Sequence, residues 1–225
     1  MNEKEVLQIL SKVGAVITNS HIVYTSGKHG TSYVNKDAIY PHTAETSLLC
    51  QEIALRFADK KNIEVVVAPV IGGVILSNRV ARYLSKLTSR KVLSVYADKE
   101  RMEIVSSSYG PLSPKYEDNF VIKRGYDKLI TGKNVLVVED VITTGSSAKK
   151  VIEATRAIGG NVIGLGVFCN RGGVTPQDVA NVKLTALVNI KLDAWDEENC
   201  PLCKEEILIN IAVGKGREFL ARKKM

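Results

Sequence analysis

The sequence predicts an α/β fold, a doubly wound parallel sheet with helices on both faces. Short apolar runs rich in β-branched residues, typical of strands buried on both faces, alternate with segments of helical period. Repeated strand–helix–strand units of this kind favour a parallel sheet. Polar and glycine-rich stretches follow several of the strands, at the edge where open parallel sheets bind ligands.

The elements are predicted in order along the chain. A helix is expected over 3–13 and strand-and-turn structure over 15–40. Thr43 or Thr46 is expected to cap a helix that runs to about Lys60. Later strands are expected at 65–69, 91–96, 120–122, 135–138, 161–168 and 183–188, with helices at 73–87 and 148–158.

The chain, 1–225, is predicted to be one domain. Its parallel core covers about 43–188, and the segments 1–42 and 189–225, which break the alternation, are expected to form a small hood over the open edge of the sheet. The polar stretch 98–119 has no strong period. It is predicted to be a long loop that closes over the site as a lid.

Composition narrows the class of protein. The 225 residues carry a formal net charge of +7, which suits a polyanionic small substrate as well as nucleic acid. The basic cluster at 215–224 is more typical of a solvated helix face than of an RNA-binding arm. No apolar run approaches the roughly 20 residues of a membrane span, and the charged N-terminus is unlike a signal peptide, so we expect a cytoplasmic protein.

The segment Val135–Ser147 carries the most information. A buried apolar strand is followed by the adjacent carboxylates Glu139 and Asp140, placed where the strand is expected to emerge. Small hydroxyl residues and a glycine come next and open a helix: Thr143, Thr144, Gly145, Ser146 and Ser147. Backbone N–H groups and the positive end of the helix dipole make such a turn an anion cradle. With two carboxylates for hydroxyl groups beside it, the segment predicts a sugar-phosphate site.

Three other turns are candidates for the same site. Ile71-Gly72-Gly73 follows the first parallel strand, and its glycines allow backbone N–H groups to approach a pyrophosphate. The turn 25–35 combines glycines with basic and hydroxyl groups, and Arg171 follows a later strand. Neither a Gly-x-Gly-x-x-Gly turn nor a P-loop is present, which disfavours dinucleotide binding and P-loop ATP hydrolysis.

The segment 135–147 resembles the phosphoribosyl-diphosphate (PRPP) signature of type I phosphoribosyltransferases. The resemblance implies that Glu139 and Asp140 hold the ribose hydroxyls and that the loop, with Val141, binds the 5-phosphate. Residues 71–73 are similar to the pyrophosphate loop of the family. Magnesium, held mainly by PRPP itself, is the implied cofactor.

The resemblance is closest to the orotate branch of that family. The turn 25–35 is similar to its base-pocket segment, which implies roles for Lys28 and Tyr33 beside Thr143. Arg171 stands where that branch has an arginine that pairs with the orotate carboxylate, a fit for a planar guanidinium. The resemblance implies transfer of ribose 5-phosphate from PRPP to orotate by a homodimer.

Residues 96–100 resemble the start of the family's mobile catalytic loop, which makes Lys99 a catalytic candidate beside the acidic pair. The chain departs from the pattern just after this point, because 101–103 lack the further lysines and histidine of the better-known orotate enzymes. Lys123 and Arg124 belong to a basic element of a bacterial subgroup, which implies contacts with PRPP. Two rivals stay open: a purine phosphoribosyltransferase, which needs no cation for a substrate carboxylate, and a PRPP-sensing RNA-binding regulator.

The four cysteines divide into two groups. Cys50 and Cys169 lie in apolar patterns and are expected to be buried. Cys200 and Cys203 have the spacing of half a zinc site and match a Cys-Pro-Leu-Cys of the same bacterial subgroup. The histidines, at 21, 29 and 42, are far from this pair in the sequence. A reduced structural knuckle is favoured over a metal half-site completed across a dimer and over a redox pair.

Overall fold

The computed structural model describes residues 1–59, 62–104 and 115–223. Its helices are α1 Glu3–Lys12, α2 Thr43–Phe57, α3 Gly73–Thr88, α4 Asp127–Ile130, α5 Ser146–Ala157, α6 Pro201–Lys204 and α7 Gly216–Lys223. Its strands are β1 Val16–Ile17, β2 Ile22–Val23, β3 His29–Gly30, β4 Tyr33–Val34, β5 Val65–Pro69, β6 Leu93–Ile104, β7 Lys115–Val121, β8 Asn134–Ile142, β9 Asn161–Asn170 and β10 Leu184–Asn189. Short 3-10 helices lie at Lys36–Ala38, Pro176–Val179 and Glu197–Asn199.

The predicted fold class is confirmed. Within the described residues, the central sheet has six strands in the order β10-β9-β8-β5-β6-β7. All neighbouring pairs are parallel except β6 and β7. The chain leaves β5 toward β6 on one side and later returns to β8 on the other. The carboxyl ends of β5 and β8 therefore form the crevice at which open α/β sheets bind ligands.

Alternate residues of the strands feed two apolar cores on opposite faces of the sheet. Leu136 and Val138 of β8 pack in one core with α1, α2 and α3, and Val135 and Val137 pack in the other with α5. Both faces of the central strands are covered, which explains why the strands read as continuous apolar runs.

The predicted loop over 98–119 is wrong for most of its length. β6 continues to Ile104 and pairs antiparallel with β7, and residues 105–114 lie outside the described residues. The paired part of β6 and β7 has no apolar period, because charged side-chain pairs across the two strands replace apolar contacts. Lys99 Nζ lies 2.7 Å from Asp118 Oδ2, a diagonal neighbour across the two strands. The expected lid motion stays a prediction.

The predicted caps of α2 are also wrong. The helix begins at Thr43, its N-cap is His42 without a side-chain cap, and it ends at Phe57. The Thr46 hydroxyl instead donates to the backbone carbonyl of Ile39 at 2.8 Å, in a buried position. A threonine that satisfies a neighbouring carbonyl in this way is not free to cap the helix N-terminus.

The two terminal segments lie together beside the sheet. β2 and β3 form a short hairpin, and bridges join His21 to Ile209 and His29 to Trp195. The Cys50 and Cys169 side chains are buried, as predicted. No helix in the described parts of the chain has both the length and the apolar character needed to cross a membrane.

Candidate PRPP site at the sheet edge

Three adjoining hollows line the carboxyl edge of the sheet, and we call them together the sheet-edge cleft. The phosphate hollow, of about 300 Å³, lies over the β8–α5 turn and β9. The middle hollow, of about 390 Å³, joins that turn to the β5–α3 turn, and the outer hollow, of about 710 Å³, continues along β6. Lys36 lines all three, so the cleft is continuous along its length.

The phosphate hollow contains the predicted cradle. Val141, Thr143, Thr144, Gly145, Ser146 and Ser147 all line it. Gly145 has a φ of +74° at the N-cap of α5, and a Cβ there would lie 2.8 Å from Val179 Cγ1. Only glycine fits both the backbone angle and the space. The first N–H groups of α5, which have no intrahelical partner, belong to residues that line the hollow, and that of Ser146 donates to Thr144 Oγ1 at 3.3 Å.

The sequence suggested that the acidic pair follows the end of the strand. In the structure the pair lies within β8, because the strand continues to Ile142. Adjacent strand residues point to opposite faces, so the two carboxylates have different surroundings. Glu139 lines both the phosphate hollow and the middle hollow, and Asp140 lines the phosphate hollow. Both side chains are buried.

Two residues that the sequence analysis missed hold Asp140. The Tyr40 hydroxyl donates to Asp140 Oδ2 at 2.5 Å, and Lys36 Nζ lies 3.5 Å from the same oxygen. The Val141 N–H donates to Asp140 Oδ1 at 2.6 Å. Lys36 directly follows the glycine-rich turn 25–35 in the sequence, and Tyr40 comes four residues later, which is the signal that the sequence offers for this pair.

Burial and neighbouring charges shift the pKa values of Glu139, Tyr40 and Lys36. Burial, with the neighbouring Asp140 carboxylate, raises the pKa of Glu139 to about 8. Burial also raises the pKa of the Tyr40 hydroxyl, and Asp140 raises it further. Burial opposes the charge on Lys36, but the Asp140 and Glu139 carboxylates more than offset it, so the pKa of Lys36 is raised. Lys36 therefore supplies positive charge beside the two carboxyl groups.

The β5–α3 turn lies opposite the acidic pair. Gly72 and Gly73 line the middle hollow, and the Ile71 side chain, 86% exposed, lies in the outer one. The Val70–Ile71 peptide bond is cis. A Cβ on Gly72 would lie 2.1 Å from the Tyr40 hydroxyl, so glycine lets this turn approach the residue that holds Asp140.

Two further lysines, Lys99 and Lys150, line the middle hollow beside Lys36. Lys99 was predicted from the sequence and lines both the middle and outer hollows. Lys150, on α5, was missed, and its Nζ lies 2.5 Å from Glu117 Oε1. Lys123 and Arg124 are absent from the described walls of the cleft, since Lys123 pairs with Glu100 at 2.8 Å and Arg124 with Asp98 at 3.2 Å. Their predicted contacts with PRPP stay predictions.

Arg171 enters the phosphate hollow from the end of β9. Its backbone N–H donates to the Ile142 carbonyl at 3.0 Å, which fixes the base of the side chain beside β8. A Cβ on Gly172 would lie 1.6 Å from the Thr143 carbonyl oxygen, so a glycine allows the two turns to touch. Among the described residues the Arg171 guanidinium has no ion-pair partner, and Arg171 lines the phosphate hollow.

The other two base-pocket candidates lie apart from the phosphate hollow. Lys28 Nζ pairs with Asp196 at 3.1 Å, in an exposed position, and Tyr33 lies in β4 opposite Ile17. Val34, the neighbour of Tyr33, does line the hollow. Roles for Lys28 and Tyr33 with a base therefore stay predictions.

Comparison with known proteins agrees with this geometry. The phosphoribosyl transferase domain model matches residues 35–199. A protein from Desulforamulus reducens named orotate phosphoribosyltransferase is 35% identical over 205 residues, 91% of this chain and 93% of its own length. A protein of the same name from Thermotoga maritima is 34% identical over 200 residues, 89% of this chain and 92% of its own length.

Solved structures share the fold at lower identity. The orotate phosphoribosyltransferase of Mycobacterium tuberculosis, in complex with Fe(III) dicitrate, superimposes with a TM-score of 0.57 at 20% identity over 83% of this chain and 95% of its own. The adenine phosphoribosyl transferase of Trypanosoma brucei gives 0.57 at 15% identity over 94% of this chain and 92% of its own. The matched domain covers most of the chain and contains the residues that line the sheet-edge cleft, apart from Val34, and the chain therefore belongs to the phosphoribosyl transferase family.

Proposed function

We propose that this protein is an orotate phosphoribosyltransferase, which transfers ribose 5-phosphate from PRPP to N1 of orotate and releases orotidine 5′-monophosphate and pyrophosphate. The observation that carries the proposal is the unpaired Arg171 guanidinium in the same hollow as the anion cradle and the acidic pair. The close relatives that bear the orotate name support it.

The length of the sheet-edge cleft suits a substrate with phosphate groups at both ends. The 5-phosphate binds the N–H groups and hydroxyls at 144–147, and the ribose hydroxyls bind Glu139 and Asp140. The diphosphate extends past the β5–α3 turn toward Lys99 and Lys150. The base then lies on the Arg171 side, where a bidentate pair with the orotate carboxylate orients the ring.

In the reaction the bond from C1 of the ribose to the diphosphate breaks, and N1 of orotate forms the new bond to C1 while its proton passes to the departing diphosphate. Positive charge develops on the ribose ring and negative charge on the departing diphosphate. The Asp140 carboxylate is a negative group beside the ring, the Glu139 carboxyl group can hydrogen-bond the ribose hydroxyls, and Lys99 and Lys150 are positive groups beside the leaving group. Anchoring both ends of PRPP holds C1 in line with the base, which removes orientational freedom before the chemical step.

Magnesium fits the donor set of the middle hollow. The carboxylates there, Glu139 and Asp118, are hard oxygen ligands, and Asp118 already pairs with Lys99. An ion held mainly by the oxygens of PRPP would find a protein oxygen ligand in Glu139. When bound, it neutralises charge on the diphosphate.

A homodimer and a cytoplasmic location complete the proposal. Val74 and Ile75 on α3 and Leu48 on α2 expose large apolar side chains on one side of the protein. These residues suit contact with a second copy, as the family resemblance implies. Sedimentation analysis of the wild-type chain against Ile75→Glu tests the dimer, which we expect to weaken in the variant.

The deciding experiment follows orotate consumption by ultraviolet absorbance with PRPP and magnesium, beside adenine, xanthine and uracil. Of these four bases, we expect only orotate to be converted. Arg171→Ala is expected to raise the KM for orotate by well over tenfold while the KM for PRPP changes little, and Arg171→Lys to recover part of the loss. Arg156→Ala, on the outer side of α5, is the matched control. Orotate kinetics unchanged by Arg171→Ala, or turnover of a purine instead, contradicts the proposal.

A further inference from the structure

Four side chains with metal-binding atoms meet in the hood, far from one another in the sequence. They are His21, His29, Cys200 and Cys203, which we call the hood cluster. One potential ligand atom from each lies within 4.8 Å of all the others. The first three residues are buried and Cys203 is half-buried. The two histidines that looked remote from the Cys-Pro-Leu-Cys segment therefore stand against it.

The distances suit one small ion. His21 Nε2 lies 2.8 Å from His29 Nδ1 and 3.7 Å from each of Cys200 Sγ and Cys203 Sγ. Cys203 Sγ lies 3.3 Å from His29 Nδ1. Ligand atoms around a tetrahedral zinc are about 3.3–3.8 Å apart, from the usual Zn–N and Zn–S lengths. Small side-chain shifts bring the four atoms onto that shell.

The hydrogen bonds around the cluster prepare His21 as a ligand. Its Nδ1 lies 2.7 Å from the Ile207 carbonyl oxygen, which can only accept. Nδ1 therefore carries the proton, and Nε2 of the neutral ring presents a lone pair to the cluster. Metal-bound histidines typically have this second contact, which fixes the tautomer and the ring orientation.

His29 differs from His21, because the ring nitrogen that points away from the cluster has no hydrogen-bond partner among the described residues. Its Nε2 is buried without a hydrogen-bond partner among the described residues, and the Phe219 ring packs near-perpendicular at 4.9 Å. The polar contacts of this buried side chain thus all pass through Nδ1, which faces His21 and Cys203. A buried imidazole whose bonding capacity points into a cluster of thiols calls for a ligand there.

We propose that the hood cluster binds one structural Zn²⁺ in a closed His₂Cys₂ site. Two thiolates and two imidazoles form a soft, four-ligand set that selects zinc over magnesium or calcium. All four ligands come from one chain, so the half-site at Cys200 and Cys203 needs no partner subunit to complete it. With four protein ligands the ion has no position for a substrate, and its role is structural.

The ion connects the N-terminal segment that contains His21 and His29 to the C-terminal segment that contains Cys200 and Cys203. His21 and His29 flank the β2–β3 hairpin, and Cys200 and Cys203 flank the start of α6, with Pro201 at its first position. The backbone already links these pieces, because the His29 N–H donates to the Trp195 carbonyl at 2.7 Å and the Asn210 N–H donates to the His21 carbonyl at 2.8 Å. Coordination of one metal ion by both the histidines and the cysteines cross-links the two segments. This cross-link stabilises the β2–β3 hairpin, which is too short to be stable alone.

The experiment measures metal in the full-length protein, purified without a polyhistidine tag. We expect about one zinc per chain by elemental analysis, and a more than tenfold loss of bound zinc in Cys203→Ser and in His21→Asn. Cys50→Ala and Cys169→Ala are the matched controls, because both thiols are buried outside the hood cluster. Both controls should retain the metal.

A cobalt experiment on the wild-type chain keeps the test decisive if the variants fail to fold. Replacing zinc by Co²⁺ should give the thiolate charge-transfer and tetrahedral ligand-field bands that report two cysteine ligands. Wild-type protein with no zinc and no such bands overturns the proposal, as does a Cys200–Cys203 disulfide found by intact-mass analysis. Neither readout depends on turnover, so the proposed activity and the zinc site stand or fall separately.

Discussion

The sheet-edge cleft and the hood cluster are both polar sites, but the chain specifies them in opposite ways. Most residues of the phosphate hollow belong to one continuous segment, 135–147. In this segment a strand, two carboxyl groups and a helix N-terminus follow one another in sequence. The hood cluster joins His21 to Cys203, which are 182 residues apart. A site built by local backbone geometry can therefore be predicted from the sequence, whereas a site built by tertiary contacts cannot.

The two sites should also respond differently to substitution. Changes in the cleft are expected to alter substrate binding and turnover, and changes in the hood cluster to alter metal content and stability.

Asp140→Asn is expected to lower kcat/KM by about a hundredfold, because the ribose loses a charged acceptor whose field favours the developing positive ring. Asparagine keeps the size and can still accept from Tyr40. Steady-state kinetics with PRPP and orotate measure the loss, with Glu153→Gln on the exposed face of α5 as control. Wild-type kinetics in the variant would remove the acidic pair from the mechanism.

Removal of zinc is expected to lower Tm by at least about 5 °C, since the ion joins the two ends of the chain. Calorimetry before and after a strong chelator measures the shift, and added zinc should restore it. Cys169→Ala should show the same shift as the wild-type chain. If zinc leaves and Tm does not move, the ion does not stabilise the hood.

Gly145→Ala is expected to raise the KM for PRPP about tenfold, because a left-handed alanine is strained and its Cβ would press on Val179. The matched control is Gly132→Ala. Its φ of +73° imposes the same backbone strain, but nothing lies within 4 Å of the new Cβ. Equal PRPP kinetics in the two variants would show that the shape of the cradle does not matter.

Glu139 should make the substrate-free protein less stable as pH rises. The folded-state pKa of about 8 is above the ordinary value of 4.5, so between these limits the folded state retains a proton that the unfolded state has released. Its contribution to stability is present below pH 4.5 and is lost as pH rises toward 8. Thermal unfolding of the wild-type chain and Glu139→Gln between pH 5 and about 8.5 tests this. Parallel pH profiles would contradict the raised pKa.

Lys28→Ala is expected to have the smallest effect. Its ion pair with Asp196 is exposed, and such pairs contribute about 0–1 kcal/mol to stability. A double-mutant cycle with Asp196→Ala measures the coupling. If Lys28→Ala also raises the KM for orotate, the base-pocket role implied by the family resemblance is supported.

Sequence reasoning reached the fold class and most of the central strands because those features depend on local apolar patterns. It missed the β6–β7 pairing because that ribbon is held by charged pairs such as Lys99–Asp118 and has no apolar period. It also missed Lys36 and Tyr40, which reach Asp140 only after the chain has folded across about a hundred residues.

The conformation of the turn before α5 follows from the sequence alone, since Gly145 and the hydroxyl residues beside it set the local backbone at the N-terminus of the helix. Only the tertiary structure decided which cations face the two carboxylates and that two histidines meet two cysteines. The physical reason is range: torsion angles and helix ends are set by neighbouring residues, whereas the contacts of a buried polar side chain are set by every segment packed around it.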